Sequence, residues 1–259
     1  MITVITVVYN GAEFIEETIQ SVLGQSHPRV EYVVIDGGST DGTQEIVRRY
    51  ADRIDFWVSE PDEGIYDAMN KGLRHAHGDL VAFLNASDRY YDENVLAAVA
   101  ALAVRKPAAD VYFGALQYVD MACGVNRIVP APATWSQERV EYLHPAAFVR
   151  SHVFCTLRFN TRYPVAADRD FFVRMQRSGM KMYADEAVYA CFRSGGMSSG
   201  HKMLLDCLDI DIRCFGWPYA IRSVIRGSFS LLANNILPER LLCWMRANQD
   251  GTSKKSEMR

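Results

Sequence analysis

The sequence predicts an α/β fold in which a mixed, mostly parallel sheet is flanked by helices and followed by a C-terminal helical tail. Apolar runs alternate with segments of helical spacing along the first half of the chain, a rhythm typical of strand–helix–strand units. The runs are apolar at nearly every position, as expected of strands that are covered on both faces. Crossover connections between such strands make a sheet mostly parallel.

The elements follow in a regular order. Each predicted strand is a short apolar run, and these runs cover residues 2–8, 30–35, 54–58, 80–84 and 111–119. Apolar residues at helical spacing predict helices over residues 15–23, 44–50, 66–76, 94–104 and 171–178. Gly179 is expected to end the last helix. Residues 121–141 follow no period, and we interpret them as an extended segment beside the site.

The composition of the chain changes near residue 203. We predict one α/β domain over residues 1–203, a helical extension over residues 204–250 and a disordered polar tail over residues 251–259. The extension mixes arginines such as Arg213 with aromatic residues such as Trp217, a pattern that suits peripheral contact with a membrane interface. A helical cap packed on the domain fits the same residues equally well.

Charge and cysteine usage disfavour several classes of function. The 259-residue chain has a net charge of −3 and therefore no basic footprint for nucleic acid. Its six cysteines show no C-x-x-C spacing, which argues against a zinc site or a disulfide framework and fits a reducing cytosol. The first residues lack a signal-peptide pattern, and no apolar run approaches the ~20 residues of a spanning helix. We expect a cytoplasmic protein, whose extension would contact the inner face of the plasma membrane.

Acids and glycines follow the predicted strands at the edge where ligands bind in open α/β sheets. Asp36 follows the second strand and is expected to accept a hydrogen bond from a nucleobase or a ribose; a tight turn is the alternative. Residues 59–72 pack acids, an amide, a lysine and two glycines together. Asp88 follows the fourth strand and is expected to hold Mn²⁺ or Mg²⁺ against a diphosphate, unless it only caps a helix.

Further candidates lie in the second half of the chain. Asp168 and Asp170 begin a helical segment, where one acid could cap the helix and the other act as a general base. His144, taken alone, is more often structural than a ligand. Arg193 opens a glycine- and serine-rich loop that could close over phosphates or simply be a linker. The P-loop, dinucleotide and G-x-S-x-G motifs are missing, which disfavours a P-loop ATPase, a dinucleotide oxidoreductase and the usual hydrolase.

Four motifs together resemble the inverting nucleotide-sugar glycosyltransferases of family 2, which have the Rossmann-like GT-A fold. Their order and spacing agree over roughly the first hundred residues, and they occupy residues 6–10, 34–43, 59–72 and 83–88. Residues 168–175 and 192–198 resemble the later motifs of the family. The resemblance is closest to the bacterial branch that builds exopolysaccharide, colanic-acid-like or lipid-linked glycans.

The resemblance assigns donor binding to six residues. They are Thr6, Tyr9 and Asp36 at the nucleoside, and Asp67, Asn70 and Lys71 beside the diphosphate and the donor sugar. UDP is the nucleotide that the resemblance favours, with GDP and dTDP as alternatives. The acceptor implied is a glycan or a polyprenyl-linked sugar used in surface polysaccharide synthesis. The Q-x-x-R-W motif of processive synthases is missing, so one hexose is expected per acceptor.

The resemblance also assigns the chemistry. Asp168 would be the catalytic base, Asp88 would be the last acid of a D-x-D-type motif that binds Mn²⁺ or Mg²⁺, and His144 falls where related sequences carry a histidine. Ser87 replaces one acid of that motif, which removes a charge from the metal site. A nucleotide-sugar-binding protein without catalysis is therefore an alternative. A nucleotidyltransferase is a third, but residues 9–13 lack the basic residues of that class.

Overall fold

The computed structural model describes residues 1–121, 124–134, 143–194 and 201–221. Its nine-stranded sheet is mixed and carries helices on both faces, which confirms the predicted fold class. The strands are β1 Ile2–Val8, β2 Val30–Asp36, β3 Phe56–Ser59, β4 Leu80–Phe83, β5 Arg89–Tyr90, β6 Val111–Asp120, β7 Val125–Val129, β8 Ala147–Arg150 and β9 Met182–Arg193. The helices are α1 Ile15–Leu23, α2 Thr43–Arg48, α3 Ile65–Gly72, α4 Val95–Arg105, α5 Ala167–Arg177 and α6 His201–Phe215.

The sheet has the order β3-β2-β1-β4-β8-β6-β9-β5, with β7 paired to β6. Strands β1 to β4 pair in parallel, so their carboxyl ends meet at one edge. β8 then pairs antiparallel with both β4 and β6, β9 pairs parallel with β6, and β5 pairs antiparallel with β9. β5 lies directly after residue 88, which brings the β9 end of the sheet back toward that edge.

β1 contributes to both hydrophobic cores because its successive side chains point to opposite faces of the sheet. Ile2, Val4 and Val8 pack in the core that includes residues of α1, α2 and α4. Ile5 and Val7 pack in the other core, with residues of α3, α5 and α6. Every residue of β1 is buried, which explains why its sequence is apolar without alternation.

The structure differs locally from the sequence prediction in three places. α3 ends at Gly72 and continues as one 3-10 turn, whereas one longer helix was predicted. Within residues 121–141, β7 forms a strand because it alternates partly buried and exposed positions along β6. α5 begins at Ala167, earlier than predicted, and so carries Asp168 and Asp170 in its first turn. Acids in this position stabilise a helix because they interact favourably with its dipole. Gly179, with φ of 73°, follows α5 as expected.

α6 connects the predicted extension to the domain. The predicted boundary at residue 203 falls inside this helix, and Ile210 is fully buried in the core shared with α5. Asp206 accepts from the backbone N–H of Val165 at 2.9 Å. Arg169 on α5 forms an ion pair with the fully buried Asp211 at 2.6 Å. The start of the extension thus packs as a helical cap, while residues 222–259 lie outside the described residues and the three-part division stays a prediction.

None of the helices in the described ranges combines the length and the hydropathy needed to cross a membrane.

We predict that Arg169→Met strongly destabilises the protein. The substitution leaves the Asp211 carboxylate buried without its cation, which typically costs about 3–5 kcal/mol. Urea unfolding measures the free energy of unfolding. Arg213→Met is the matched control, because its partner Asp209 and Arg213 itself are largely solvated, and we expect a much smaller loss there. Equal stability losses in the two variants would contradict the assigned role of the buried pair.

Candidate active site

An exposed tyrosine and a glycine lie where β1 and β2 end. The Tyr9 ring is 67% exposed and stands beside Gly37. A Cβ at Gly37 would lie 3.4 Å from Tyr9 Cδ2 and would collide with the Asp62 carboxylate. The absence of a side chain at Gly37 therefore lets the Asp62 carboxylate pack against the backbone beside the tyrosine. An exposed aromatic ring such as that of Tyr9 can stack on a planar base.

Asp36 lies beneath this surface. Its carboxylate is fully buried and accepts from the Ser39 backbone N–H at 3.0 Å and from the hydroxyls of Ser39 and Ser59. Both carboxylate oxygens are thus occupied by the protein. In this conformation Asp36 joins the turn after β2 to the end of β3, and its contact with a nucleobase stays a prediction.

Thr6 is also buried below the site. Its hydroxyl donates to the backbone carbonyl of Leu84 at 2.8 Å and lies 3.1 Å from the Tyr32 hydroxyl. The bond to Leu84 fixes the end of β4 against β1. Thr6 therefore shapes the floor of the site from within the core, and the structure exposes none of its side chain.

Lys71 is held among acids on α3 and the loop before it. Its Nζ lies 3.0 Å from Glu60, 3.6 Å from Asp67 and 2.8 Å from the Pro61 carbonyl. Desolvation lowers the pKa of Lys71, but the bond to Glu60 and the charges of Asp67, Glu60 and Asp62 outweigh it and raise the pKa overall. The ammonium therefore stays charged, at a position where it can attract phosphate.

Asn70 has a different set of partners from its neighbour Lys71. Its side-chain amide donates to the Phe159 carbonyl at 2.9 Å and accepts from the Phe159 N–H at 3.1 Å. This pair of hydrogen bonds ties α3 to the segment that leads into α5. Each polar atom of the amide thus has one backbone partner, and the contact of Asn70 with the donor stays a prediction.

Asp88 is the metal candidate and is almost fully buried. Burial raises its pKa well above the usual range, although the backbone N–H and the charge of Arg193 oppose this rise. Among the described residues its Oδ1 has no hydrogen-bond partner, and neither has the buried Oδ1 of Asn85 nearby in sequence. Ser87 between them has a left-handed φ of 96°, which turns the chain sharply.

These orphaned oxygens fit a divalent cation that takes its remaining ligands from a diphosphate and water. Within the described ranges, no group of three or more His, Cys, Asp or Glu side chains could hold a metal alone. A site that depends on the donor for most of its ligands agrees with the loss of an acid at Ser87.

Arg193 is fixed next to Asp88 by α1. Its guanidinium donates to Glu17 at 2.6 Å and lies 5.4 Å from the centre of the Phe14 ring. Glu17 also pairs with Arg89 at 3.0 Å, on the strand that starts directly after Asp88. One carboxylate on α1 thus holds two arginines on the adjacent strands β5 and β9.

Asp168 lies in the first turn of α5 and is partly exposed. Its Oδ1 accepts from the Tyr66 hydroxyl at 2.9 Å and from the Arg169 N–H at 2.8 Å. Its Oδ2 has no hydrogen-bond partner among the described residues. Asp170 instead is buried and pairs with Arg174 at 2.7 Å, so the structure separates the two acids into one accessible carboxylate and one structural ion pair.

His144 is buried between aromatic rings. Its ring centroid lies 5.7 Å from that of Phe83, on which it stacks, and 6.2 Å from that of Phe159, which it meets edge-on. Its Nε2 has no hydrogen-bond partner within the part of the chain that the structure describes. Burial lowers the pKa of His144, while the charge of Asp168 opposes that change. The imidazole is therefore neutral at physiological pH and lies within electrostatic range of the candidate base.

Three residues of the stretch 59–72 were missed as individual candidates from the sequence, as was Asn85 next to the metal candidate. The three are Glu60, Asp62 and Tyr66. The density of polar residues there was the available signal. Which of them contact Lys71, Gly37 and Asp168 depends on the packing of α3, which periodicity alone does not give.

The family model of Glycosyl transferase family 2 matches residues 3–180. The chain belongs to this family. An uncharacterized glycosyltransferase of Mycobacterium tuberculosis is 34% identical over 182 residues, which cover 67% of this chain and 68% of the relative. The putative teichuronic acid biosynthesis glycosyltransferase TuaG of Bacillus subtilis is 42% identical over 93 residues, which cover 35% of this chain and 37% of TuaG.

Solved structures agree on the fold of this family 2 glycosyltransferase. TarS 1-349 of Staphylococcus aureus, solved in complex with UDP-GlcNAc, has a TM-score of 0.63 at 20% identity, covering 95% of this chain and 79% of that one. The mannosyltransferase PcManGT of Pyrobaculum calidifontis, solved with GDP-Man and Mn²⁺, has a TM-score of 0.64 at 18% identity. The match covers 96% of this chain and 84% of PcManGT. Both likenesses support the GT-A-like architecture.

We predict that Asn70→Ala lowers the free energy of unfolding by about 1–3 kcal/mol, because it leaves two backbone groups of Phe159 without partners. Chemical denaturation measures this loss. Asn126→Ala is the matched control, since the exposed Asn126 amide bonds one side chain, that of Gln117, among the described residues, and we expect no measurable change there. An Asn70→Ala protein as stable as the wild type would show that the two hydrogen bonds between Asn70 and Phe159 have no structural role.

Proposed function

We propose that this glycosyltransferase is an inverting, non-processive enzyme that moves one sugar from a nucleotide-sugar donor to a hydroxyl of an acceptor. The proposal rests on the different surroundings of the two oxygens of the Asp168 carboxylate. One oxygen is held by Tyr66 and the Arg169 N–H, and the other has no hydrogen-bond partner among the described residues. A general base needs such a fixed carboxylate with one free oxygen.

The donor would lie along the edge formed by β1, β2 and β4. The base would stack on Tyr9 over Gly37, with Asp62 at its edge. Lys71 would face the diphosphate, and Asp67 would hold the lysine in place. Thr6, Asp36 and Asn70 make hydrogen bonds within the protein, which supports an indirect role for them as residues that shape and fix the pocket.

The chemistry follows from charge and geometry. The oxygens of Asp88 and Asn85 would hold Mn²⁺ or Mg²⁺, and such an ion, when bound, offsets negative charge on a nucleoside diphosphate leaving group. Lys71 would add a second positive charge there. Asp168 would remove the proton of the acceptor hydroxyl as that oxygen attacks the anomeric carbon opposite the leaving group, and this direct displacement inverts the configuration.

The known relatives support the substrate class. UDP-GlcNAc bound to TarS and GDP-Man bound to PcManGT support a nucleotide sugar as donor, and we propose a UDP-sugar. The teichuronic acid assignment of TuaG supports an acceptor that is a glycan or a polyprenyl-linked sugar, used in a surface polysaccharide. More narrowly, we propose that the polysaccharide is of the colanic-acid-like type or is part of a lipopolysaccharide.

A nucleotide-sugar-binding protein without turnover is the second candidate. Ser87 in place of an acid and the small number of carboxylates near Asp88 favour it. The orientation of Asp168 favours catalysis, because a binding protein has no use for a free carboxylate oxygen beside the donor.

We expect one donor among UDP-, GDP- and dTDP-sugars to release its nucleoside diphosphate with Mn²⁺ and to be stable with a chelator. Asp88→Ala should lose the metal-dependent release. Asp168→Asn should keep donor binding and lose about 10²–10⁴-fold in rate, the usual contribution of a general base. Asp52→Asn, at an exposed turn, is the control and should match the wild type. Donor binding by calorimetry without any release, even with candidate acceptors present, would favour the binding protein.

We also propose peripheral membrane contact at the cytoplasmic face. Trp217 and Ile221, which follow α6, are 64% and 53% exposed. Large exposed apolar side chains next to arginines suit the headgroup region of anionic lipid. The full chain should co-sediment with anionic phospholipid vesicles, and the double change Trp217→Ser, Ile221→Ser should weaken this. Ile128→Ser, at an exposed position of β7, is the control, and equal sedimentation of all three proteins would refute the contact.

A further inference from the structure

Tyr66 is the residue that reaches the candidate base from another element of the fold. It lies in the first turn of α3, is 7% exposed, and packs its ring against Phe159 at 5.6 Å. Its hydroxyl ends between two acceptors, the Asp168 carboxylate at 2.9 Å and the Val165 carbonyl at 3.0 Å. The side chain therefore spans from the sheet-facing helix to the start of α5.

The Tyr66 hydroxyl acts as a donor in this position. Burial and the negative charge of Asp168 both raise the pKa of Tyr66 far above its usual value, so the phenol keeps its proton. A phenol has one proton to donate. A hydrogen bond to a charged carboxylate is stronger than one to a neutral carbonyl, so the proton goes to Asp168 and the carbonyl is the weaker alternative acceptor.

The two oxygens of Asp168 become inequivalent as a result. Oδ1 is taken by Tyr66 and by the N–H of Arg169, and Oδ2 is left for a ligand. Without Tyr66, a carboxylate in the first turn of a helix can rotate and accept from other free N–H groups there. The tyrosine thus determines which oxygen of the acid faces outward.

Two sides of α3 serve two parts of the site. Tyr66 and Asn70 are four residues apart and therefore share one side of the helix, which binds the segment from Phe159 to Asp168. Asp67 and Lys71 share the next side and pair with each other. One short helix thus fixes the candidate base relative to the candidate diphosphate site.

We propose that Tyr66 is a positioning residue that orients the Asp168 carboxylate for proton removal from the acceptor. The proposal rests on the proposed function, because the role of Tyr66 is exercised through the base. His144 also lies within electrostatic range of Asp168, but within the described ranges its Nε2 makes no hydrogen bond, so it does not hold the carboxylate.

The kinetic test uses Tyr66→Phe in the full chain, which removes only the hydroxyl. Loss of a hydrogen bond to a charged group should lower kcat about ten- to a hundredfold, while the donor KM stays within about twofold. Tyr163→Phe is the matched control, since the Tyr163 hydroxyl bonds Asp209 on α6 at 2.9 Å, and its kcat should stay near that of the wild type. Wild-type kcat in Tyr66→Phe would overturn the proposal.

A spectroscopic test is independent of activity. In protein labelled at tyrosine ¹³Cζ, the Tyr66 signal is identified by its loss in Tyr66→Phe. Asp168→Asn should shift that signal, and Asp170→Asn should not, because Asp170 pairs with Arg174. An unshifted Tyr66 signal would overturn the proposal even in an active enzyme. If the signal shifts as expected but the wild type transfers no sugar, the proposed function fails and the contact stands.

Discussion

The close packing of α3 on β1 is the constraint on which both halves of the site depend. Gly72 ends α3 against Ile5, where a Cβ would lie only 2.5 Å from the Ile5 Cγ2. Any other residue would push the end of the helix away from the sheet. The place of α3 then determines where Lys71 faces the acidic loop and where Tyr66 meets Asp168. The donor side and the acceptor side are therefore coupled through one element of eight residues.

Three buried polar atoms of the candidate site have no hydrogen-bond partner among the described residues. They are Asn85 Oδ1, Asp88 Oδ1 and His144 Nε2, and such groups cost free energy in a folded protein. By contrast the polar side-chain atoms of Asp36 and Thr6, which lie below the same surface, are hydrogen-bonded within the protein. The two unpaired oxygens of Asn85 and Asp88 favour a cation at this position over a purely structural acid.

Much of the fold follows from local sequence, because β1 and β2 are short apolar runs, α1 has helical periodicity, and all three start at the predicted residues. The positions of the acids at strand and helix ends could also be predicted, since parallel strands bring their carboxyl ends to one edge. The partners of those acids could not. That Asn70 clamps Phe159 and that Tyr66 reaches Asp168 are contacts about 90 and 100 residues apart in sequence, which only tertiary packing creates. The predicted loop after Arg193 lies largely outside the described residues.

The anomeric configuration of the first sugar released tests the central claim most directly, because it reports the geometry of attack. The donor that the enzyme turns over is followed by ¹H NMR before mutarotation, with water or an acceptor as nucleophile. An α-linked donor should yield the β-anomer, as direct displacement assisted by Asp168 requires. Release of the α-anomer would mean retention of configuration and would contradict the single-base mechanism built on this site.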